Sequence, residues 1–331
     1  MSARRALLSA GLAAVAAVAC ALQRQSTVVP PSAMDDHMMG MAGPDLGAPP
    51  VLPRGELQGT AGLPPSANAA AARLAASPRH AEWVKLAWAP GSTDSLMAWI
   101  VYPATARPHT PVVVVVHEIF GLSTWVRGLA DQVAADGFIA IAPDLLSRVR
   151  GGASTDELPS DSAVKLIRGV DPAQRTLGIT AAARFAMSQP SAAQRYGVIG
   201  FCWGGSTTWI YAINQGVAGF SGGVAFYGLP YMNGAVPDAD SLAKIRVPVM
   251  LLSGAKDARI GAAMPAVDSI MRALHKDYFG RNYDGAVHGF VRAQDDPREP
   301  RDSAGETANL AALKDAWPRT TAFLRKHLGL D

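Results

Sequence analysis

A cysteine in a glycine-rich turn is the residue of this sequence best suited to chemistry. Cys202 lies in the segment Gly200-Phe-Cys-Trp-Gly-Gly205, after an apolar β-branched run and before a helix-competent segment. Such a strand–turn–helix context is typical of a nucleophile elbow, here with a thiol where a serine hydroxyl is more familiar. Gly200 and Gly204 would let strand and helix approach closely, and the helix N-terminus would favour a thiolate. The alternative is a buried structural cysteine on a tight turn.

An acid and a base follow the cysteine in the chain, each just past a predicted strand. Asp257 comes after the apolar run that ends in Ser-Gly, and His288 comes after the last predicted strand. In an open α/β sheet a nucleophile elbow requires this order of nucleophile, acid and base. His288 would accept the thiol proton and later protonate the leaving group, while Asp257 would fix the imidazole tautomer. Asp268 and Asp284 are weaker candidates for the acid, and loop Asp and His residues often have no catalytic role.

The elements that must position these residues alternate between strands and helices. Two alternating segments, 82–88 and 96–101, flank Pro90-Gly91 and predict an antiparallel hairpin. The segment 111–116 is a continuous apolar run, which indicates a central strand covered on both faces, and 223–227 and 247–253 also indicate buried strands. The pattern predicts a mostly parallel, doubly wound α/β sheet in a single domain from 81 to 331. The predicted further strands are 111–116, 138–142, 196–201, 223–227, 247–253 and 278–283, and the predicted helices are 124–136, 175–187, 206–215, 263–274 and 305–327.

Composition agrees with one large α/β domain plus an appendage. The chain has 331 residues, of which 49% are hydrophobic and 17% charged. Its formal net charge of +3 comes from Arg4, Arg5 and Arg24, because the remaining basic and acidic side chains are balanced at 27 each. This balance argues against a nucleic-acid partner and leaves small molecules as the expected ligands.

Residues 1–25 have the pattern of an export signal. Arg4 and Arg5 precede the apolar run Ala6–Ala19, which is too short for a comfortable membrane span. Export, with a periplasmic destination, is the expectation, and the arginine pair leaves a twin-arginine route open. Cys20 resembles the cysteine of a degraded lipoprotein box, so membrane anchoring is expected only if Cys20 is lipidated. With Cys20 at the leader's edge, Cys202 would be a lone thiol in an exported protein, which favours a functional role.

Residues 26–80 are rich in Ala, Pro, Gly and Met and predict a flexible arm. The segment Met34–Met41 contains thioether, imidazole and carboxylate groups that could bind a soft metal such as copper. A Met-rich linker is the stronger interpretation, because the spacing dictates no coordination geometry. A copper-binding or redox-stress protein that uses the domain as a scaffold is nevertheless the alternative function. A redox-active Cys202 is a third possibility, although an acid–histidine pair is not needed for it.

The sequence resembles the dienelactone hydrolase (carboxymethylenebutenolidase) family of α/β-hydrolases from about residue 82 to its end. The resemblance is carried by residues 113–121, 137–145, 200–205, 254–257 and 283–290, of which Glu118-Ile-Phe-Gly121 and Gly200-Phe-Cys-Trp-Gly-Gly205 are the most specific. It implies an α/β-hydrolase fold, a Cys202–Asp257–His288 triad, an acyl-enzyme intermediate, and small esters or lactones as substrates. No metal or organic cofactor is expected.

The resemblance also implies roles for further residues. Glu118 would contact the nucleophile and help to control its ionisation, since a nearby carboxylate disfavours a thiolate. The backbone N–H groups of Ile119 and Trp203 would form an oxyanion hole. Arg292, four residues after His288, would bind a substrate carboxylate, unless it is a solvated surface arginine. A second arginine of the family cannot be aligned here, and three positions are candidates: Arg148, Lys165 and Arg168.

Overall fold

The computed structural model describes residues 60–330 except 106, 215, 231, 234 and 235, and gives only the backbone of 232–233 and 236–237. The predicted export signal, Cys20 and the segment Met34–Met41 lie outside these residues. Eight strands form one sheet in the order β1-β2-β4-β3-β5-β6-β9-β10, and β7 and β8 form a small hairpin. The strands are β1 Ala81–Ala87, β2 Ser95–Val101, β3 Thr110–Val116, β4 Ile139–Pro143, β5 Ala192–Phe201, β6 Phe220–Phe226, β7 Met232–Asn233, β8 Val236–Pro237, β9 Val249–Gly254 and β10 Tyr278–Tyr283.

The sheet is mostly parallel, as predicted. β1 and β2 form the expected antiparallel hairpin, and β2 pairs antiparallel with β4. All other neighbours in the sheet pair in parallel. Every residue of β3, β4 and β9 is buried, because these strands are covered by helices on both faces. The α/β prediction is therefore confirmed.

The helices connect the strands and cover the sheet. Their bounds are α1 Ala70–Ala75, α2 Thr124–Ala135, α3 Ser147–Arg150, α4 Ser160–Arg168, α5 Pro172–Met187, α6 Trp203–Ile213, α7 Ala239–Ala243, α8 Ala258–Ala273 and α9 Ala308–Leu328. Helix α8 begins five residues before the prediction, because Asp257 caps its N-terminus by accepting a hydrogen bond from Ile260 N–H. Within the described residues, no helix combines the length and the apolar character that crossing a membrane requires.

The segment before β1 differs from the prediction. A flexible arm was expected up to residue 80, but residues 60–69, here called the N-terminal strap, pack against the domain and lead into α1. Leu63 and Ser66 are buried, the Trp125 indole N–H donates to Pro65 O, and the Gln294 amide donates to Pro64 O. The prediction is wrong for this segment because a Pro- and Ala-rich composition, which is typical of linkers, here fills a groove on the domain.

Candidate active site

Cys202 stands at the sharp turn between β5 and α6. Its φ of 57° and ψ of −117° lie in a region that residues other than glycine rarely adopt. The turn is held by backbone hydrogen bonds from Cys202 N–H to Phe226 O and from Ser206 N–H to Cys202 O. The side chain is a free thiol and only 2% of the residue is exposed. The predicted elbow is therefore present, with the thiol at the N-terminus of a helix.

Two glycines make this turn possible, for the steric reason that the sequence indicated. A Cβ on Gly200 would lie 2.0 Å from Gly204 O, and a Cβ on Gly204 would lie 2.4 Å from Val116 O. Both distances are far shorter than a van der Waals contact, and the atoms met belong to the backbone. Strand β5, helix α6 and the end of β3 thus approach one another so closely that no side chain fits between them.

Asp257 and His288 form a hydrogen-bonded pair. The imidazole Nδ1 of His288 lies 2.5 Å from Asp257 Oδ2, while Asp257 Oδ1 accepts from Ile260 N–H at 3.1 Å. One carboxylate thus caps α8 and orients the histidine. Burial tends to raise the pKa of Asp257, but the hydrogen bond and charge of His288 outweigh burial and lower it.

The other nitrogen of His288 faces the cysteine. His288 Nε2 is buried and has no aligned hydrogen bond to any described residue. Burial lowers the pKa of His288, but the Cys202 thiolate and Asp257 together outweigh burial and raise it to about 10. The structure therefore brings the three residues together in the predicted order and favours the imidazolium form of His288.

Two backbone N–H groups near the nucleophile lack acceptors among the described residues. Trp203 N–H is the first of α6, and Ile119 N–H follows the end of β3. Ile119 and Trp203 are each 1% exposed, so neither amide is expected to be satisfied by bulk water. Their positions agree with the predicted oxyanion hole.

Glu118 is buried beside Arg292, with Glu118 Oε2 3.2 Å from Arg292 Nε. Burial tends to lower the pKa of Arg292, but the Glu118 carboxylate raises it. The Arg292 guanidinium also lies 5.4 Å over the Phe120 ring. Arg292 thus lies beside Glu118 and Phe120 and is not a solvated surface arginine. The predicted contact of Glu118 with the Cys202 thiol is not a hydrogen bond in this structure, because the carboxylate pairs with the guanidinium.

Tyr227 is an active-site residue that the sequence analysis missed. It is fully buried at the end of β6, has a φ of 40°, and its hydroxyl has no aligned partner among the described residues. Its ring lies 4.9 Å from the His288 ring. Burial and the Glu118 carboxylate raise the pKa of Tyr227 well above its usual value, so the phenol stays protonated. The β-strand pattern of residues 223–227 gave no signal for this role.

The N-terminal strap contacts the loop that carries Arg292. Ala67 N–H donates to Arg292 O at 2.9 Å, and Ser66 Oγ donates to Asp295 Oδ2 at 2.6 Å. The Gln294 side chain is buried and donates to both Pro64 O and Val291 O at 3.0 Å. The strap therefore fixes the backbone of the loop that carries Arg292.

The candidates for a second arginine have other surroundings than Arg292. Arg148 is paired with Asp94 at 2.9 Å and lies 5.1 Å over the Trp88 ring, whereas Lys165 and Arg168 are exposed near the end of α4. Of the cationic residues that the sequence singled out, Arg292 is the one placed beside Glu118. Across the described part of the chain, no cluster of three or more His, Cys, Asp or Glu residues could hold a metal ion.

Comparison with known proteins agrees with this geometry. Residues 96–328 match the dienelactone hydrolase family. A provisionally named carboxymethylenebutenolidase from Escherichia coli (strain K12) is 27% identical over 275 residues, which cover 81% of this chain and 96% of that protein. The carboxymethylenebutenolidase of Pseudomonas putida is 27% identical over 218 residues, 63% of this chain and 83% of that protein.

A solved structure gives the same result for the fold. The crystal structure of a provisionally named dienelactone hydrolase from Klebsiella pneumoniae is 28% identical, with a TM-score of 0.60, and covers 74% of this chain and 98% of that one. The mostly parallel sheet, the elbow and the family match point to the same conclusion. The chain belongs to the dienelactone hydrolase family of α/β-hydrolases, which are hydrolases of esters and lactones.

Proposed function

We propose that this protein is an exported, cysteine-dependent hydrolase of small esters or lactones that works through an acyl-enzyme on Cys202. The observation that carries the proposal is the arrangement of the strained Cys202 turn opposite a His288 that Asp257 orients at 2.5 Å. No metal or organic cofactor is needed for this chemistry.

In the first half-reaction the Cys202 thiolate attacks the carbonyl carbon and forms a C–S bond. The carbonyl oxygen becomes an oxyanion, which the N–H groups of Ile119 and Trp203 stabilise. The tetrahedral intermediate collapses to a thioester as the C–O bond to the leaving group breaks. The leaving alkoxide takes the proton from His288 Nε2, and a lactone substrate retains this new hydroxyl within the acyl group. The raised pKa of His288, about 10, supports its presence as an imidazolium at the start.

In the second half-reaction the neutral His288 takes a proton from water while the water oxygen attacks the thioester carbonyl. The same two amides receive the second oxyanion, and collapse breaks the C–S bond. The products are a carboxylic acid and the Cys202 thiolate, and His288 is again an imidazolium. Asp257 remains ionised throughout and stabilises the imidazolium by its hydrogen bond.

A carboxylated substrate fits the charges that line the site. Arg292 is a half-buried cation, and a planar guanidinium binds carboxylates with two parallel hydrogen bonds. A substrate carboxylate on Arg292 would take the place of Glu118 and release that side chain from its ion pair. The proposed substrate is therefore a small ester or lactone with a carboxylate, in keeping with the carboxymethylenebutenolidases among the relatives.

Export is proposed from the sequence of residues 1–25, where Arg4 and Arg5 precede a short apolar run. Fractionation of cells that express the full chain, followed by the intact mass of the protein, tests this proposal. We expect a periplasmic protein shortened within the first 25 residues. A full-length protein in the cytoplasm would contradict export, and a diacylglycerol mass on Cys20 would indicate anchoring.

The hydrolase proposal is tested with p-nitrophenyl acetate and a small lactone, using the wild type beside Cys202→Ala and His288→Ala. We expect kcat to fall at least about 10³-fold in both variants. Intact-mass measurement of the wild type during turnover should reveal a Cys202 thioester that Cys202→Ala lacks. Equal low rates in all three proteins would contradict the proposal. Comparing kcat/KM for a carboxylated lactone with that for its methyl ester tests the role of Arg292.

A further inference from the structure

His117, the residue before Glu118, lies at the end of β3 with its side chain fully buried. Its imidazole has a hydrogen-bond partner on each nitrogen. Nδ1 lies 2.6 Å from Glu118 O, and Nε2 lies 3.1 Å from the backbone nitrogen of Leu145. Neither partner belongs to the proposed triad.

These partners define the tautomer of His117. The backbone N–H of Leu145 can only donate, so Nε2 is the acceptor and Nδ1 carries the hydrogen that is donated to Glu118 O. Burial lowers the pKa of His117 to about 4, so the ring is neutral near pH 7. His117 therefore donates its Nδ1 hydrogen to the backbone carbonyl of Glu118.

That carbonyl belongs to the same peptide unit as the N–H of Ile119. The described peptide bonds include no cis bond, and in a planar trans peptide C=O and N–H point in opposite directions. Holding Glu118 O toward the imidazole therefore turns the Ile119 N–H to the other side. This is the N–H that has no acceptor among the described residues although Ile119 is buried.

The same imidazole also contacts the residue that provides the second amide. The rings of His117 and Trp203 are stacked, with centroids 5.6 Å apart and an interplanar angle of 11°. The Arg175 guanidinium lies 4.6 Å over the same indole. One buried ring thus touches both Glu118–Ile119 and Trp203.

We propose that His117 is a positioning residue that orients the oxyanion-hole amides, that of Ile119 through the Glu118 carbonyl and that of Trp203 through ring stacking. The inference rests on the proposed hydrolase function. The amides act on charge that develops only in the transition state, so loss of their orientation lowers kcat and leaves KM nearly unchanged.

The test compares His117→Leu with His117→Asn, because these two side chains have the same branched shape. The Asn amide nitrogen can stand where Nδ1 stands and donate to Glu118 O, whereas Leu has no donor. Both variants lose the acceptor for Leu145 N–H and most of the stacking on Trp203. The difference between their kcat values therefore reports only the hydrogen bond to Glu118 O. The readouts are kcat and KM for p-nitrophenyl acetate and the rate of Cys202 alkylation by iodoacetamide, a reaction that forms no oxyanion.

We expect kcat of His117→Leu to be about 10- to 100-fold below that of His117→Asn, somewhat less than the loss of a whole oxyanion donor. The two variants should have the same KM and the same alkylation rate within about twofold, since both keep the proposed triad. His117→Met carries the same prediction if the leucine variant does not fold.

Two results would overturn the inference: equal kcat in the leucine and asparagine variants, or alkylation that falls in parallel with kcat. An inactive wild type would instead contradict the proposed function itself, so the two failures can be told apart.

Discussion

Cys202 is held by backbone atoms packed closely around it, whereas His288 and the loop of Arg292 are held largely by side-chain hydrogen bonds. At the elbow, glycines allow β5, α6 and the end of β3 to meet at backbone contact distance. Opposite the elbow, Asp257 orients His288, and the N-terminal strap binds the loop of Arg292 from more than 200 positions away. The elbow tolerates almost no change in the shape of its residues, whereas the positions of His288 and Arg292 depend on individual hydrogen bonds. Substitutions on the two sides should therefore fail in different ways.

The largest effect is expected for Asp257→Asn. The amide oxygen can still cap α8, so the domain should remain folded, and the loss of stability should reflect only the missing charge beside His288. The amide cannot orient and stabilise the imidazolium as a carboxylate does, so kcat should fall roughly 10³- to 10⁴-fold. Steady-state kinetics beside urea unfolding checks both statements. A variant that keeps a tenth of the wild-type kcat would show that His288 does not need this partner.

On the elbow side, Gly204→Ala should lower the free energy of unfolding by about 3 kcal/mol, because the new methyl group meets Val116 O. Gly152→Ala is the matched control, since a Cβ there meets no atom within 4 Å, and it should change stability by less than about 0.5 kcal/mol. Urea unfolding of the two variants provides the measurement. Similar values for both would mean that the elbow relaxes more easily than its contacts indicate.

A smaller effect is expected where the strap meets the loop. Gln294→Leu removes the donor to Pro64 O and leaves that carbonyl unsatisfied, at a cost of about 1–3 kcal/mol in stability. If the loop then holds Arg292 less firmly by about 1 kcal/mol, KM for a carboxylated lactone should rise about fivefold. KM for the neutral p-nitrophenyl acetate is the internal control and should not change. An equal rise for both substrates would argue against a specific effect on Arg292.

The two buried histidines sharpen the comparison, because their pKa values move in opposite directions. His288 has its pKa raised to about 10, and His117 has its pKa lowered to about 4. NMR titration should therefore find His288 charged and His117 neutral across pH 5 to 9. In Cys202→Ala the pKa of His288 should fall, since the thiolate is the largest influence that raises it. An unchanged His288 pKa in this variant would show that the Cys202 side chain does not influence the imidazole.

The same pKa values predict how stability depends on pH. The contribution of His288 is fully present below the unfolded pKa of about 6.5 and is lost as the pH rises through about 10. The contribution of His117 is present above about 6.5 and is lost as the pH falls through about 4. Urea unfolding across this pH range should show that Cys202→Ala loses less stability at alkaline pH than the wild type does. His117→Asn should lose less stability than the wild type at acid pH.

Sequence reasoning succeeded where the information is local. Cys202, Asp257 and His288 each follow a predicted strand, and the spacing of the glycines around Cys202 directly reflects the steric demand of the turn. The start of α8 was missed because Asp257 was expected in a loop, whereas it caps a helix that begins at Ala258. The predicted elements have the observed types, but several helix boundaries were less well predicted, and α4 was not predicted at all.

What the sequence did not reveal depends on partners far apart in the chain. Tyr227 reads as the end of an ordinary strand, and its role follows only from its contact with His288. Glu118 was expected at the thiol, but its charge is matched by Arg292. The strap has the composition of a linker, and only the groove next to Trp125 and Gln294 explains why it is ordered.

The strap also imposes an order on synthesis. Ser66 and its partner Asp295 are separated by 229 positions, so at about 5–20 residues per second the partner is made roughly 10 to 50 seconds later. Between the synthesis of Cys202 and that of His288 the nascent chain contains the elbow residues but neither the proposed base nor the loop that the strap secures. On the proposed mechanism, the thiol of the growing polypeptide therefore has no base beside it until elongation passes His288.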